Sequence, residues 1–232
     1  VRIWTLVNKS SNGSEATEIL MNSPDSQKIT EVMGRHVPPA AQAYCVELWL
    51  QYPFRLRITP GRLSKLGDYR YDKRKRTHQI SVNATLNAYA FLITYIHEVA
   101  HLLAFQTYGF RIAPHGKEWK ESFKSLMQPM LNELVFPPDV LKPLRTHMRN
   151  PKAASGSDHR LSLALQQYDR QDGSIALAEV APEQTFQFRK MLMVKESVRR
   201  TRALCREVKS GKRYLVSQAA RVKLVTEATA DG

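Results

Sequence analysis

From Leu86 to Tyr108 the chain is apolar on nearly every face, with no Pro or Gly, and Gly109 follows as a natural stop. That pattern predicts a helix buried in a domain core. Upstream, Ala40 to Gln51 sets Ala41, Tyr44, Cys45, Leu48 and Trp49 near one helical face, after Val37-Pro38-Pro39. Phe54 to Thr59 alternates apolar and basic residues, as a half-exposed strand does. Tyr69–Tyr71 and His78–Val82 predict a hairpin with Asp72–Thr77 as its basic tip. Downstream, a second helix is expected from His115 or Gly116 to near Leu134, kinked or divided at Pro129, then a small one from Asp139 to His147.

The pattern changes after a Pro/Ala/Ser/Gly stretch at Asn150–Asp158. Short strand-like pieces follow at Ile175–Val180, Thr185–Arg189, Met191–Val194, Val198–Arg206, Tyr214–Val216 and Val222–Val225. The first residues, Val1 to about Met33, are polar and weakly periodic, with at most a short strand at Val1–Val7. The expected division is an extension at 1–34, a first domain at 35–149, a linker at 150–172 and a β module at 173–226.

Within the buried helix the apolar run is broken by His97-Glu98-Val99-Ala100-His101. Residues four apart share a helical face, so two neutral imidazoles at this spacing can hold one zinc ion. The carboxylate beside them suits proton transfer from a water. A histidine pair satisfied by ordinary hydrogen bonds would leave the buried Glu98 unexplained. A third ligand is required: His115 is the nearest later candidate, and Glu118 is the alternative. His78, His147 and His159 read as surface histidines.

Charge adds a partner class. The chain carries a net +14, concentrated in two runs. Arg55–Arg76 holds nine Lys/Arg against Asp68 and Asp72; Arg189–Lys223 holds twelve against Glu196 and Glu207. The remainder is slightly acidic, so the runs point to a polyanion, above all nucleic acid. The cations expected to contact it are Arg74, Lys75 and Arg76 in the first run, with Arg199, Arg200, Arg202, Lys212 and Arg213 in the second. Only Cys45 and Cys205 are present, far apart, which excludes a disulfide scaffold. No membrane partner is expected, no signal peptide is visible, and a reducing cytoplasmic setting is the default.

Taken together, Arg62-Leu63-Ser64-Lys65-Leu66-Gly67-Asp68-Tyr69, the Ile80–Asn83 strand, the His97–His101 motif and His115-Gly116-Lys117-Glu118-Trp119 resemble the SprT-like metalloprotease domain. That domain is shared by bacterial SprT proteins and by Spartan, the DNA–protein crosslink protease. The resemblance covers about residues 35 to 130. It implies an α+β fold with a zincin-type domain, one zinc ion held by His97, His101 and His115, and Glu98 as general base. It also implies proteolysis of DNA-associated proteins. Trp119, Tyr95 and Tyr108 read as packing aromatics. The C-terminal part resembles an antiparallel zinc ribbon that has lost its cysteines, so it must be held by hydrophobic packing. Its basic strands are expected to bind DNA without reading sequence. The rival reading is a nucleic-acid-binding protein with a structural or degenerate zinc site.

Overall fold

A three-stranded sheet backs the site, and its order is not the order of the chain. In the computed structural model, which describes residues 24–60, 65–152, 158–170 and 172–225, β1 (Arg55–Thr59), β2 (Gly67–Asp72) and β3 (Thr77–Asn83) lie in the order β1-β3-β2. β2 and β3 form the expected antiparallel hairpin, Gly67 opposite Val82 and Asp72 opposite Thr77. β1 pairs in parallel with the far side of β3, which leaves β2 as an edge. The possible strand at Val1–Val7 and the Arg62–Ser64 part of the motif lie outside the described residues.

Helix α1 (Pro24–His36) lies where the sequence showed only a polar stretch. Its buried side chains, Ser26, Ile29 and Met33, form a single narrow stripe at three- and four-residue spacing. A 3-10 turn at Pro39–Ala41 leads into α2 (Gln42–Gln51). Then comes α3 (Ala88–Tyr108), whose first turn is capped by the Asn87 side chain accepting from the Tyr89 and Ala90 amides. Gly109 ends it with φ 77°, a left-handed geometry that favours glycine.

By length and hydropathy α3 could cross a membrane, but here it is a core helix, packed on β2 and β3 on one side and on α4 (Lys117–Met127) on another. Phe91, Leu92, Tyr95, Ile96, Val99 and Leu102 are fully buried, and the Tyr95 hydroxyl donates to the Cys45 carbonyl at 2.8 Å. Tyr108, expected in the core, is 48% exposed because it lies on the last turn, beyond the sheet. Pro129 stops α4: the helix ends at Met127 and a 3-10 turn follows at Gln128–Met130.

The chain divides into two compact units at Pro137/Pro138. Helix α5 (Pro138–Arg149) falls in the second, where it packs on α6 (His159–Gln166), a helix absent from the sequence reading and capped by Asp158. His147, expected at the surface, is buried on α5 with its Nδ1 3.4 Å from Asp158. The rest of this unit is an antiparallel six-stranded sheet in the order β4-β9-β5-β6-β7-β8. Its strands are β4 (Ile175–Ala176), β5 (Thr185–Phe188), β6 (Met191–Arg199), β7 (Arg202–Glu207), β8 (Arg213–Ser217) and β9 (Arg221–Leu224). Leu177, Val180, Phe186, Met193, Ala203, Cys205, Val216 and Val222 make its core.

The turn between β6 and β7 is at Arg200-Thr201, inside the piece expected to be one strand from Val198 to Arg206. Lys195-Glu196 falls in the gap between the expected pieces Met191–Val194 and Val198–Arg206. Instead β6 runs through them with a bulge, and the two side chains part. Lys195 is buried, its Nζ donating to the carbonyls of Leu177 (2.9 Å), Ala178 (3.4 Å) and Val180. Glu196 accepts from Arg206 and Arg213.

Candidate metal centre

His97 and His101 sit one turn apart on α3, as their spacing requires. His115 reaches them from the loop that joins α3 to α4, with its own backbone at φ 60°. A left-handed φ at a non-glycine residue costs about 1 kcal/mol or more and is tolerated where surrounding structure enforces it. The turn is closed by the Gly116 amide donating to the Ala113 carbonyl at 2.9 Å. A Cβ at Gly116 would come 2.9 Å from that same carbonyl oxygen, so no larger residue fits.

The three Nε2 atoms form a nearly equilateral triangle: 3.2 Å between His97 and His101, 3.1 Å between His97 and His115, 3.0 Å between His101 and His115. Hydrogen bonding alone cannot account for it. A contact between two ring nitrogens needs one N–H donor and one lone-pair acceptor, and a nitrogen plays one role at a time. Around a triangle two neighbours must share a role, so one contact always sets like against like. A cation at the centre removes the conflict. Ligands about 2.05 Å from a tetrahedral zinc ion lie about 3.3 Å apart, close to the spacing seen. Among the described residues this is the group of His, Cys, Asp and Glu arranged to hold a metal ion; Glu118 is outside it.

Burial favours the ligand form at two of the three rings. Burial pushes His101 down to about 4, with His115 adding to the effect and Asp68 opposing it. Burial also lowers His115. Neutral imidazole is the species that binds metal. Asp68 itself stays ionised: burial raises it, but hydrogen bonds from Lys65 and Arg70 outweigh that and hold it below the usual carboxylate range.

Trp119 is more than generic packing. It is buried under the triad, with ring centroids 4.6, 5.4 and 4.7 Å from His97, His101 and His115, and its Nε1 donates to the His97 carbonyl at 3.3 Å. Phe123 stacks behind it at 5.1 Å. On the other side of His101 the Tyr69 ring lies nearly parallel at 6.3 Å, its hydroxyl 2.9 Å from His78 Nδ1. His78 is therefore part of a half-buried aromatic cluster with Tyr69, Tyr71 and Phe105, not a surface histidine.

Glu98 is 6% exposed and lies against the backbone of β2. A Cβ on Gly67 would fall 2.6 Å from Glu98 Oε1 and 2.7 Å from Thr94 Cγ2. Glycine at 67 thus makes the space in which the carboxylate rests. The sequence shows Gly67 only as a letter in a motif, since the contact spans thirty-one positions.

The basic residues are exposed in each unit. Arg74, Lys75 and Arg76 form the β2–β3 turn, organised by Asp72 Oδ1 accepting from the Arg74 and Lys75 amides. In the second unit Arg199, Arg200 and Arg202 cluster at the β6–β7 turn, whereas Lys212 and Arg213 lie toward the other end of β7, Arg213 opposite Arg206 and about 13 Å along the strand from Arg202. Arg213 is also engaged, its Nε 2.8 Å from Glu196 Oε2.

The model of the SprT-like family matches residues 50–141. This stretch is similar to a SprT-like domain. It contains all three strands of the first sheet, α3, α4 and the histidine triad. Protein SprT of Vibrio parahaemolyticus is 49% identical over 53 residues, 21% of this chain and 32% of the relative. Protein SprT of Escherichia coli O1:K1 is 42% identical over 55 residues, 22% of this chain and 33% of the relative. The similarity therefore spans about a third of the length of these curated relatives. No solved structure gives a significant match.

Proposed function

We propose that the SprT-like domain is a zinc-dependent endopeptidase that acts on DNA-associated proteins. The observation that carries the reading is the Nε2 triangle with a buried carboxylate one residue from its first member. A purely structural metal site has no use for a general base beside it. Zinc, when bound, supplies Lewis acidity toward a water and toward the scissile carbonyl. His97, His101 and His115 hold it, and Trp119 and Tyr69 fix the rings from two sides. Glu98 accepts a proton from the attacking water and returns it to the leaving amine. Gly67 keeps that carboxylate in place. Among the described residues β2 is an edge strand, and it lies beside Glu98, where an extended peptide can align.

The DNA part rests on the exposed cations at the β2–β3 turn and at the two ends of β7. Its signature is affinity that falls steeply with salt. The test is cleavage of a DNA-bound protein by wild type and Glu98→Gln, both zinc-loaded. Wild-type cleavage with an inactive variant is expected; equal activity in the two sinks the peptidase. Zinc content of His115→Ala and Glu118→Ala checks the third ligand. Loss is expected in the first only, and loss only in the second would reassign it.

A further inference from the structure

The sheet of the second unit ends in two unlike edges. On one side β4 is two residues long, too short to template another strand. On the other, β8 runs for five residues without Pro, Gly or bulge, and among the described residues no strand lies beyond it. The Glu207 amide donates to the Lys212 carbonyl at 2.9 Å and the Gln218 amide to the Thr201 carbonyl at 3.0 Å. Residues 212, 214, 216 and 218 therefore bond to the β7 side, and Arg213, Leu215 and Ser217 turn their amides and carbonyls outward. The side chains are open along the same line. Tyr214, opposite Cys205, is 38% exposed on one face, and Leu215, opposite Leu204, is 46% exposed on the other. Exposed cations stand at both ends of this apolar centre: Lys209 and Lys212 beyond Arg213, and Arg199, Arg200 and Arg202 beside Ser217. None of these five is in an ion pair among the described residues, whereas Arg213 is held by Glu196.

We propose that β8 takes up an extended segment of a partner protein as one more strand of the sheet, the segment being apolar at its centre and acidic at both ends. Main-chain bonds to Arg213, Leu215 and Ser217 supply the pairing, and apolar side chains of the segment cover Tyr214 and Leu215. Carboxylates about three or four positions either side of the centre reach the two groups of cations. A second copy of β8 fits the backbone, but in either direction it sets one cationic end against another. DNA fits the cations, but its backbone carries no donor for the outward carbonyls of β8. The same cations carry part of the DNA-directed reading above, so peptide and DNA compete here, whereas the backbone pairing belongs to the peptide. The peptidase reading is independent of this edge.

The test uses the full chain carrying Glu98→Gln, zinc-loaded, so that the probe is not cleaved. The probe is a short fluorescent peptide with two glutamates at each end and alternating valine and threonine between them; a DNA duplex is measured beside it. Leu215→Pro removes an outward amide at an edge, where proline is tolerated. It is expected to weaken peptide binding roughly ten-fold and duplex binding less than about two-fold. Arg200→Gln with Lys212→Gln is expected to weaken both ligands and to flatten the salt dependence of each. Should Leu215→Pro disturb the fold, the same peptide N-methylated along its centre tests the unaltered edge, and the same loss of roughly ten-fold is expected. No binding of the peptide, equal binding by Leu215→Pro, or equal binding of the N-methylated peptide would each overturn the proposal. A loss of duplex affinity in Leu215→Pro as large as the loss of peptide affinity would give the edge to nucleic acid instead. A dimer in sedimentation that Leu215→Pro converts to monomer would give it to a second copy.

Discussion

Each unit of this protein gathers three electron-rich atoms around one point, and the two do it for opposite ends. In the second unit the carbonyls of Leu177, Ala178 and Val180 converge on Lys195 Nζ, so the chain supplies its own cation. In the first, three imidazole nitrogens converge with no ammonium among them. A buried acceptor set already filled by a side chain is finished as structure. A set of neutral imidazoles whose ligand atoms meet is complementary to a metal ion from outside.

The contrast can be broken first at Glu98. Glu98→Gln should keep zinc yet lower peptide hydrolysis by about two to four orders of magnitude, as loss of a general base does. Zinc loss in this variant would mean that the carboxylate is a ligand. Gly67→Ala should follow, because its Cβ would sit 2.6 Å from Glu98 Oε1. The expected result is an impaired kcat with zinc retained, together with destabilisation of about 1–3 kcal/mol from overpacking. Unchanged kinetics would show that the carboxylate can rest elsewhere.

Lys195→Met tests the other half of the comparison. Removing the ammonium leaves three carbonyls turned toward an apolar side chain and should cost about 3 kcal/mol in urea unfolding of the second unit. Zinc content should not change. The smallest effect expected is on pH. Burial lowers the His147 pKa from its ordinary 6.5, and the nearby Asp158 only partly offsets this. The unfolded chain then takes up this proton more readily than the folded one. Stability from this group is complete above about pH 6.5 and declines as pH falls below it. Melting followed from pH 7.5 to 5.5 in wild type and His147→Gln should show a shallower decline in the variant.

What the sequence could say about the fold follows the reach of its signals. The length and burial of α3 are visible because an apolar-rich stretch without Pro or Gly and a Gly stop are local facts. The His97–His101 pair is equally local, and His115 comes within reach through a compact motif. Helix α1 was missed because its buried stripe is one residue wide, with Ile29 and Met33 set among polar neighbours, although Pro24-Asp25 is a fair start signal. Lys195 falls between the expected pieces Met191–Val194 and Val198–Arg206; only the carbonyls eighteen, seventeen and fifteen positions earlier explain its burial. The same holds for Gly67 against Glu98 and for the parallel pairing of β1 with β3, each a meeting of distant segments that no periodicity records.

The central claim is that the His97, His101 and His115 side chains hold one catalytic zinc ion with a position left for substrate. Anomalous diffraction at the zinc edge from zinc-loaded crystals tests it directly. The account predicts one ion with three Nε2 ligands at about 2.0–2.1 Å, and a fourth ligand that is water or another small molecule rather than a side chain. An ion bound elsewhere, or a fourth protein side chain closing the site, would contradict it.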